Sequence, residues 1–395
     1  MIFYIINSII YIGKKQFMIS YWEKMHFLYY DYVIIGSGIT GLSAVCSIKE
    51  RQPNASIAVL ERGLLPTGAT TKNAGFACIG SFTEKWHDLE LMGEDAFLQL
   101  IEDRWKGLAK LRSRLGDEQI EYANNGGYEL LFANQYINEE QLHHMNGLLN
   151  KIFNQDVFKT DPSLIQAFGF NKQMLSNVIV NPLDAQINSG KMMRALYRMA
   201  ASLNTYIATG AEVMNIEETE NGVNVIVNNP LLPEPLLFKS NKVAICTNAF
   251  TGKFFPELDI TPGRGQVIVT EPIHNLKMKG VFSFDEGYYY FRNIDNRILF
   301  GGGRNLDFDG ETTTEFGPNQ KILDQLSYYL HEMILPGNKM KIEQQWSGIM
   351  AFGKNKLPLV QKVSEHIAVG ARLNGMGIAL SSKIGEEIAT LLVNG

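Results

Sequence analysis

Cysteine is scarce in this 395-residue chain, with Cys46, Cys78 and Cys246 its three instances. They are odd in number, widely spaced and form no CxxC pair. That argues against a redox dithiol, a cysteine zinc site and a disulfide framework. Cys46 and Cys246 stand in apolar runs and read as buried thiols. An excess of positive charge is also missing. There are 36 Lys and Arg against 41 Asp and Glu, net −5, so the chain carries no electrostatic footprint for nucleic acid. A bilayer span takes about 20 apolar residues, and the apolar stretch at 1–13 is shorter. Lys14 and Lys15 follow that stretch, the wrong order for a secretory signal. No integral membrane span is expected. Residues 1–30 read as a dispensable extension, with Met18 and Met25 as alternative starts. A docked segment or a membrane-touching one are the other readings, and the protein is expected in the cytoplasm. Repeats and low-complexity segments are absent too.

What is present begins with the run Tyr32, Val33, Ile34, Ile35, which reads as a buried strand. It leads directly into Gly36, Ser37, Gly38, Ile39, Thr40, Gly41 and then into a small-residue helical pattern. This is the GxGxxG fingerprint in the context it requires. Gly36 makes the tight turn, Gly38 lets backbone approach a pyrophosphate, and Gly41 lets the helix pack close on the strand. A second apolar run, Ile57 to Leu60, ends in Glu61 about 20 residues after Gly41, where an acid suits the ribose of an adenine dinucleotide. Arg62 follows, then a small, polar stretch with Gly68, Ala69, Thr70, Lys72, Asn73, Ala74 and Gly75. A surface loop is one reading of it. Its small side chains and backbone amides better suit a segment running beneath a large flat ligand.

Periodicity places a helix over 94–115 and a β-type stretch over 120–132, interrupted at 124–127. Helices follow over about 139–151 and 185–203. Short strands are expected at 206–208, 211–216 and 223–227, the last pair joined by Glu220-Asn221-Gly222, a hairpin signal. The strand 242–246 runs into Thr247, Asn248 and Ala249. Pro262 to Gln266 reads as a turn before the strand 267–270. A hairpin covers 287–304 with its turn at 293–296, and a helix covers 319–335. Near the end a strand, 366–370, precedes Asn374-Gly375-Met376-Gly377, which opens a helix over 378–392. Such a helix aims unpaired N–H groups and the positive end of its dipole at whatever lies in front of it.

Four motifs in this order resemble the glycine/D-amino-acid oxidase (DAO-type) family of FAD-dependent oxidoreductases over nearly the whole chain beyond residue 30. They are Gly36–Gly41 with Glu61; Gly68–Gly75; the Pro262–Gln266 segment with the 287–304 hairpin; and Trp346, Gly370 and Gly375–Gly377. The last two resemble the amine-oxidising branch that includes γ-glutamylputrescine oxidoreductase. The resemblance implies an α/β fold with a Rossmann-like FAD-binding domain from 31–85, 185–262 and 340–395. An α+β substrate domain with a mixed, largely antiparallel sheet would come from 86–184 and 263–339. It implies that Val213 meets the adenine through its backbone, and that Gly370, Asn374, Gly375, Met376, Gly377 and Ile378 lie at the flavin. It also implies FAD bound without a covalent link, since Cys246 does not match the place of the linking cysteine. The implied activity is oxidation of the C–N bond of an amine or amino-acid-like substrate by hydride transfer to flavin N5. The electrons would pass on to O2 or another acceptor.

Tyr288, Tyr290 and Arg292 alternate along one strand and so share a face, with Tyr289 and Phe291 on the other. By the resemblance this face meets the substrate, the rings holding an amine and the guanidinium a carboxylate. A strand with aromatics in the core and Arg292 in a salt bridge is the alternative. The chain departs from the family where Met350 stands at the place of a carboxylate-clamping arginine. It departs again where Leu373 stands at the place of a second, with Arg372 one residue early and therefore facing the other way. A secondary or larger amine, or an N-substituted amino acid, then fits as well as a simple α-amino acid. Lys72 near the flavin is expected to assist reaction with oxygen. Two other activities remain open, a 2-hydroxy-acid dehydrogenase on the same fold and a flavin-binding subunit without turnover of its own.

Overall fold

The computed structural model describes residues 19–228, 234–338 and 340–394. The apolar 1–13 segment lies outside them. Within the rest of the expected extension, Ser20 and Glu23 form a capping box that starts a helix, Tyr21–Phe27, which buries none of its residues. The strand after it begins at Tyr29, slightly earlier than its apolar core suggested.

Two eight-stranded sheets organise the chain. The first has a parallel centre, in spatial order β18 (Ile367–Ala371), β11 (Leu236–Ile245), β1 (Tyr29–Ile35), β2 (Ile57–Glu61) and β8 (Thr205–Thr209). Strand β17 (Leu359–Lys362) runs antiparallel at one edge, and the hairpin β9 (Glu212–Thr219) and β10 (Gly222–Asn228) hangs from β11. Central strands β1 and β2 are apolar on both sides because both sides are covered. The helices Ile39–Arg51, Ser189–Ser202 and Gly377–Val393 cover one face, and Val213, Val223 and Val225 of the β9–β10 hairpin join the core on the other. The helix Gly377–Val393 buries residues nearly all round, being wedged between Ile39–Arg51 and Glu94–Leu115. At Gly385 a Cβ would stand 2.6 Å from the Ala44 nitrogen, so only glycine allows that approach.

The second sheet runs β16 (Ile342–Phe352), β12 (Thr261–Thr270), β15 (Arg297–Gly302), β14 (Tyr289–Ile294), β13 (Val281–Phe284), β4 (Gly127–Phe132), β6 (Leu175–Asn181) and β5 (Lys159–Thr160). It is antiparallel except where β13 lies parallel to β4. The period-two pattern expected at 288–292 is realised from Tyr289 on, Tyr288 standing in the turn before β14. Phe291 stacks on Phe282 at 4.7 Å and Tyr289 on Phe284 at 4.8 Å, each pair directly opposite across β13 and β14. Such aromatic pairs add about 0.5–1.5 kcal/mol beyond the area they bury. Their face packs on the helix Gln320–Tyr329, which continues as a wider turn to Ile334.

Four expectations change. Pro262–Gln266 is not a turn but part of β12, paired throughout with β16. Strand β16 itself therefore lies in the second sheet, so the cofactor-binding segment expected from 340 takes up the first sheet only at β17. The hairpin turn narrows to Asp295 and Asn296, both left-handed, as a two-residue connection requires. The helix expected from 185 begins at Ser189, capped by Asn188. Ala185 and Gln186 are spent first as β7, paired with β3 (Phe76–Ala77).

Candidate active site

One continuous cavity of about 560 Å³ runs between the two sheets. At one end the backbone turns at Gly36, whose φ is +99°, and the helix Ile39–Arg51 starts without a side-chain cap. A Cβ at Gly41 would stand 2.0 Å from the Gly36 oxygen, so helix and turn are in contact. Gly36, Gly38, Ile39 and Thr40 line the cavity, and Thr70 Oγ1 accepts from the Ile39 N–H at 3.2 Å. Ser37 and Gly41 do not line it. Ser37 is fully buried, donating its N–H (3.1 Å) and hydroxyl (2.7 Å) to Glu61 Oε2 with Tyr197 beside it. The buried Glu61 lines the cavity, its Oε1 accepting from the Gly63 N–H at 3.0 Å. Arg62 lies over the Phe250 ring at 3.7 Å, and Val213 lines the cavity while its carbonyl accepts from Lys253 Nζ.

Gly68, Ala69, Thr70, Lys72, Asn73 and Ala74 continue the lining, the middle of this stretch forming a short helix, Ala69–Lys72. Asn73 staples it, donating to Thr70 O at 2.6 Å and accepting from Gly75 N and Ser189 Oγ. Trp346 Nε1 donates to the Lys72 carbonyl at 2.9 Å, fastening β16 to this segment. Thr247 and Asn248 line the cavity, whereas Ala249 is buried behind it. Asn374, Gly375, Met376, Gly377 and Ile378 form the wall opposite, where the helix Gly377–Val393 also starts without a side-chain cap. Thr40 Oγ1 donates to Ser381 Oγ at 3.2 Å, so the two open helix starts are neighbours. Gly370 faces away and packs beneath Ile388.

Of the hairpin residues, Tyr288 and Tyr290 line the cavity and Arg292 does not. Arg292 is buried, and its guanidinium donates to the carbonyls of Ile187 (2.7 Å), Gly75 (3.1 Å) and Asn293 (3.1 Å). Burial holds it down at about 10. It staples β14 to the Gly75 turn from outside the cavity lining and forms no salt bridge among the described residues, and Gly75 lies behind the lining with it. Burial pushes the Tyr290 hydroxyl up to about 12, so it stays a donor at neutral pH. Met350 and Leu373, which stand in this sequence at the places of the family's clamping arginines, both line the cavity. Arg372 points the other way, onto Asp259 at 2.5 Å. Arg264 is likewise structural, fastened to Glu311.

The inner wall was not anticipated. Glu84, Arg104, Glu129, Asp184 and Lys356 line it, and Lys85 and Asp88 are buried just behind. Lys356 reaches Asp88 at 2.5 Å and Glu84 at 3.5 Å, and Lys85 reaches Asp88 at 2.5 Å. Burial alone would raise the Glu84 carboxyl, but Lys85, Lys356 and Arg104 outweigh it and bring it to about 2. Burial raises Glu129 and Asp184 to about 7 against hydrogen bonds from Thr83 and Ile79. The one available signal was Arg104 itself, standing on the apolar stripe Leu100, Leu108, Leu111 of its helix. Among the described residues no group of His, Cys, Asp and Glu could hold a metal ion, and no helix is long and apolar enough to cross a membrane.

The lining suits an adenine dinucleotide joined to a flat ring. Two helix starts without side-chain caps would hold its phosphate and ring ends, and the buried Glu61 carboxylate its ribose. Comparisons with known proteins agree. The family model "DAO: FAD dependent oxidoreductase" matches residues 31–391. The "Probable oxidoreductase OrdL" of Haemophilus influenzae is 22% identical over 92% of this chain and 83% of its own. Glycine oxidase from Geobacillus kaustophilus superposes with a TM-score of 0.74 at 18% identity, over 93% of this chain and 95% of that one. L-proline dehydrogenase from P. horikoshii superposes with a TM-score of 0.73 at 18% identity, over 92% and 93%. For iminodiacetate oxidase from Chelativorans sp. BNC1 the values are 0.71, 16%, 92% and 95%. The chain belongs to the DAO family of FAD-dependent oxidoreductases.

Proposed function

We propose that this enzyme oxidises the C–N bond of an amine or amino-acid-like substrate, its electrons passing finally to O2 or another acceptor. The observation that carries this reading is the joining, in one cavity, of the dinucleotide-shaped end at Gly36–Thr40 to the tyrosine face of the hairpin. The similar structures are named for glycine, L-proline and iminodiacetate, all compounds with an amine nitrogen. When bound, FAD supplies the two-electron acceptor. The substrate carbon loses its hydrogen with the bonding pair, the nitrogen lone pair closes C=N, and the imine is hydrolysed by water. The substrate must arrive as the free amine for that lone pair to be available. Glu129 and Asp184, held near neutrality at the inner wall, can take up the proton it sheds. Tyr290 donates from the hairpin face, and Ile349, Met350, Phe352 and Leu373 keep the lining apolar around the reacting bond.

The test is anaerobic mixing of the purified holoenzyme with a library of amines, amino acids and 2-hydroxy acids, reading loss of the oxidised flavin band. Amines or amino acids are expected to bleach it. Bleaching by hydroxy acids alone, or a protein that takes up no FAD, overturns the reading.

A further inference from the structure

Arg304 begins a short 3-10 turn at the end of β15 and lines the cavity. Its guanidinium carbon lies 4.2 Å from the Phe352 ring centre and 5.1 Å from that of Phe308. Space for it exists because residue 263 is glycine, where a Cβ would stand 2.9 Å from that carbon. Arg304 forms no ion pair among the described residues, and its Nε is buried without a partner. The acid that influences it, Glu311, is fully buried and already engaged by Arg264 at 2.7 Å, Gln266 at 3.0 Å and Asn319 at 2.9 Å. Of the cations of the inner wall, Lys356 is spent on Glu84 and Asp88, while Arg104 donates from one terminal nitrogen to the Cys78 carbonyl and buries its Nε and other terminal nitrogen without a partner. On β16 Met350 offers a thioether, which cannot hold a carboxylate.

We propose that Arg304, clamped between Phe308 and Phe352, holds the carboxylate of the substrate, so that the amine oxidised is an amino acid or N-substituted amino acid gripped from the hairpin side. The inference rests on the C–N oxidation reading for the reaction, though not for the anion site itself. A guanidinium braced against two rings gives up less side-chain freedom in making two parallel hydrogen bonds to a carboxylate, and partial burial reduces the water that competes for it. Neutralising it would also relieve the burial that holds its pKa below the ordinary value. Lys72, whose ammonium faces Phe316 at 5.9 Å, is the competing cation on the other side of the cavity.

The experiment uses holoenzyme and two readouts. Flavin bleaching compares pairs differing in the carboxylate alone, L-proline against pyrrolidine and alanine against ethylamine. Binding of butyrate to the oxidised enzyme is followed by the shift in the flavin spectrum. The wild type is expected to favour the carboxylate member at least tenfold. Arg304→Gln should lose that preference and weaken butyrate at least tenfold with flavin content unchanged, a larger loss on either readout than Lys72→Met causes. Equal butyrate affinity in wild type and Arg304→Gln, or loss in Lys72→Met instead, overturns the proposal. If no amine bleaches the flavin yet Arg304→Gln abolishes butyrate binding, the C–N reading fails and the anion site stands.

Discussion

Replacing Arg292 by methionine separates a structural arginine from a substrate contact. Methionine keeps most of the stem and removes the fork. Three donor contacts disappear, at 2.7, 3.1 and 3.1 Å. Gly75 O keeps the Ile187 N–H at 2.8 Å, so the carbonyl most exposed to loss is that of Ile187. A hydrogen bond from a charged donor is worth about 1.5–3 kcal/mol, and an orphaned buried carbonyl costs about 1–3 kcal/mol. Against this, the variant no longer buries a guanidinium, which recovers part of the loss. A net destabilisation of about 2 kcal/mol follows, a fall in Tm of roughly 2–3 °C for a chain of 395 residues at about 2.1 cal/mol/K of unfolding entropy per residue. The melt is followed on holoenzyme by the rise of released-flavin fluorescence, alongside the substrate concentration that half-bleaches the flavin at a temperature well below the transition. A variant that melts with the wild type yet needs tenfold more substrate refutes the staple and restores Arg292 to the substrate.

Further outcomes concern charge and packing. Glu129 titrates near 7 when folded and near 4.5 when free, so the folded chain holds a proton the unfolded chain has lost between those values. Its stabilisation is full below about 4.5 and is lost as pH rises through 7, at up to about 1.4 kcal/mol per pH unit. Glu129→Gln should therefore flatten the fall in urea stability between pH 5 and 8, and an unchanged slope rejects that assignment. Lys356→Gln removes one of the cations that bring Glu84 to about 2. Glu84 stabilises above its ordinary value and loses this as pH falls, so the acid-unfolding midpoint should move to higher pH, read by far-UV circular dichroism. Gly41→Val drives a side chain into the Gly36 oxygen. At about 1–3 kcal/mol of overpacking, FAD affinity should drop about 10–100-fold in a fluorescence titration.

The fingerprint, the long helix ending at Gly116 and the closing helix were legible because each is written locally, in glycine spacing or a 3.6-residue period. The two faces of the hairpin were legible too, since alternation alone decides them. What alternation cannot say is what waits on the far side. Arg292 meets two carbonyls from segments more than 100 residues away in sequence, and no local pattern announces them. The same holds for Arg264, whose partner Glu311 arrives from the loop after the hairpin. Strand β16 serves both sides, since Trp346 and Gly348 touch the cofactor-side segment at Lys72 while their backbone pairs with β12, and sequence alone shows neither contact. The inner wall escaped notice because Glu84, Lys85 and Asp88 look like an ordinary solvated helix until Lys356 is brought to them by tertiary folding.

The contact between Thr40 and Ser381 joins points 341 residues apart along the chain. A polypeptide leaving the ribosome thus carries its phosphate-binding turn early but cannot offer a complete FAD site until the 377–393 helix has emerged and packed. Until then the helix Ile39–Arg51 lacks the neighbour against which Ala44 is buried. FAD binding should act as a checkpoint on full-length synthesis: chains interrupted before residue 377 would stay colourless and open to proteolysis, and free FAD would stabilise only completed ones.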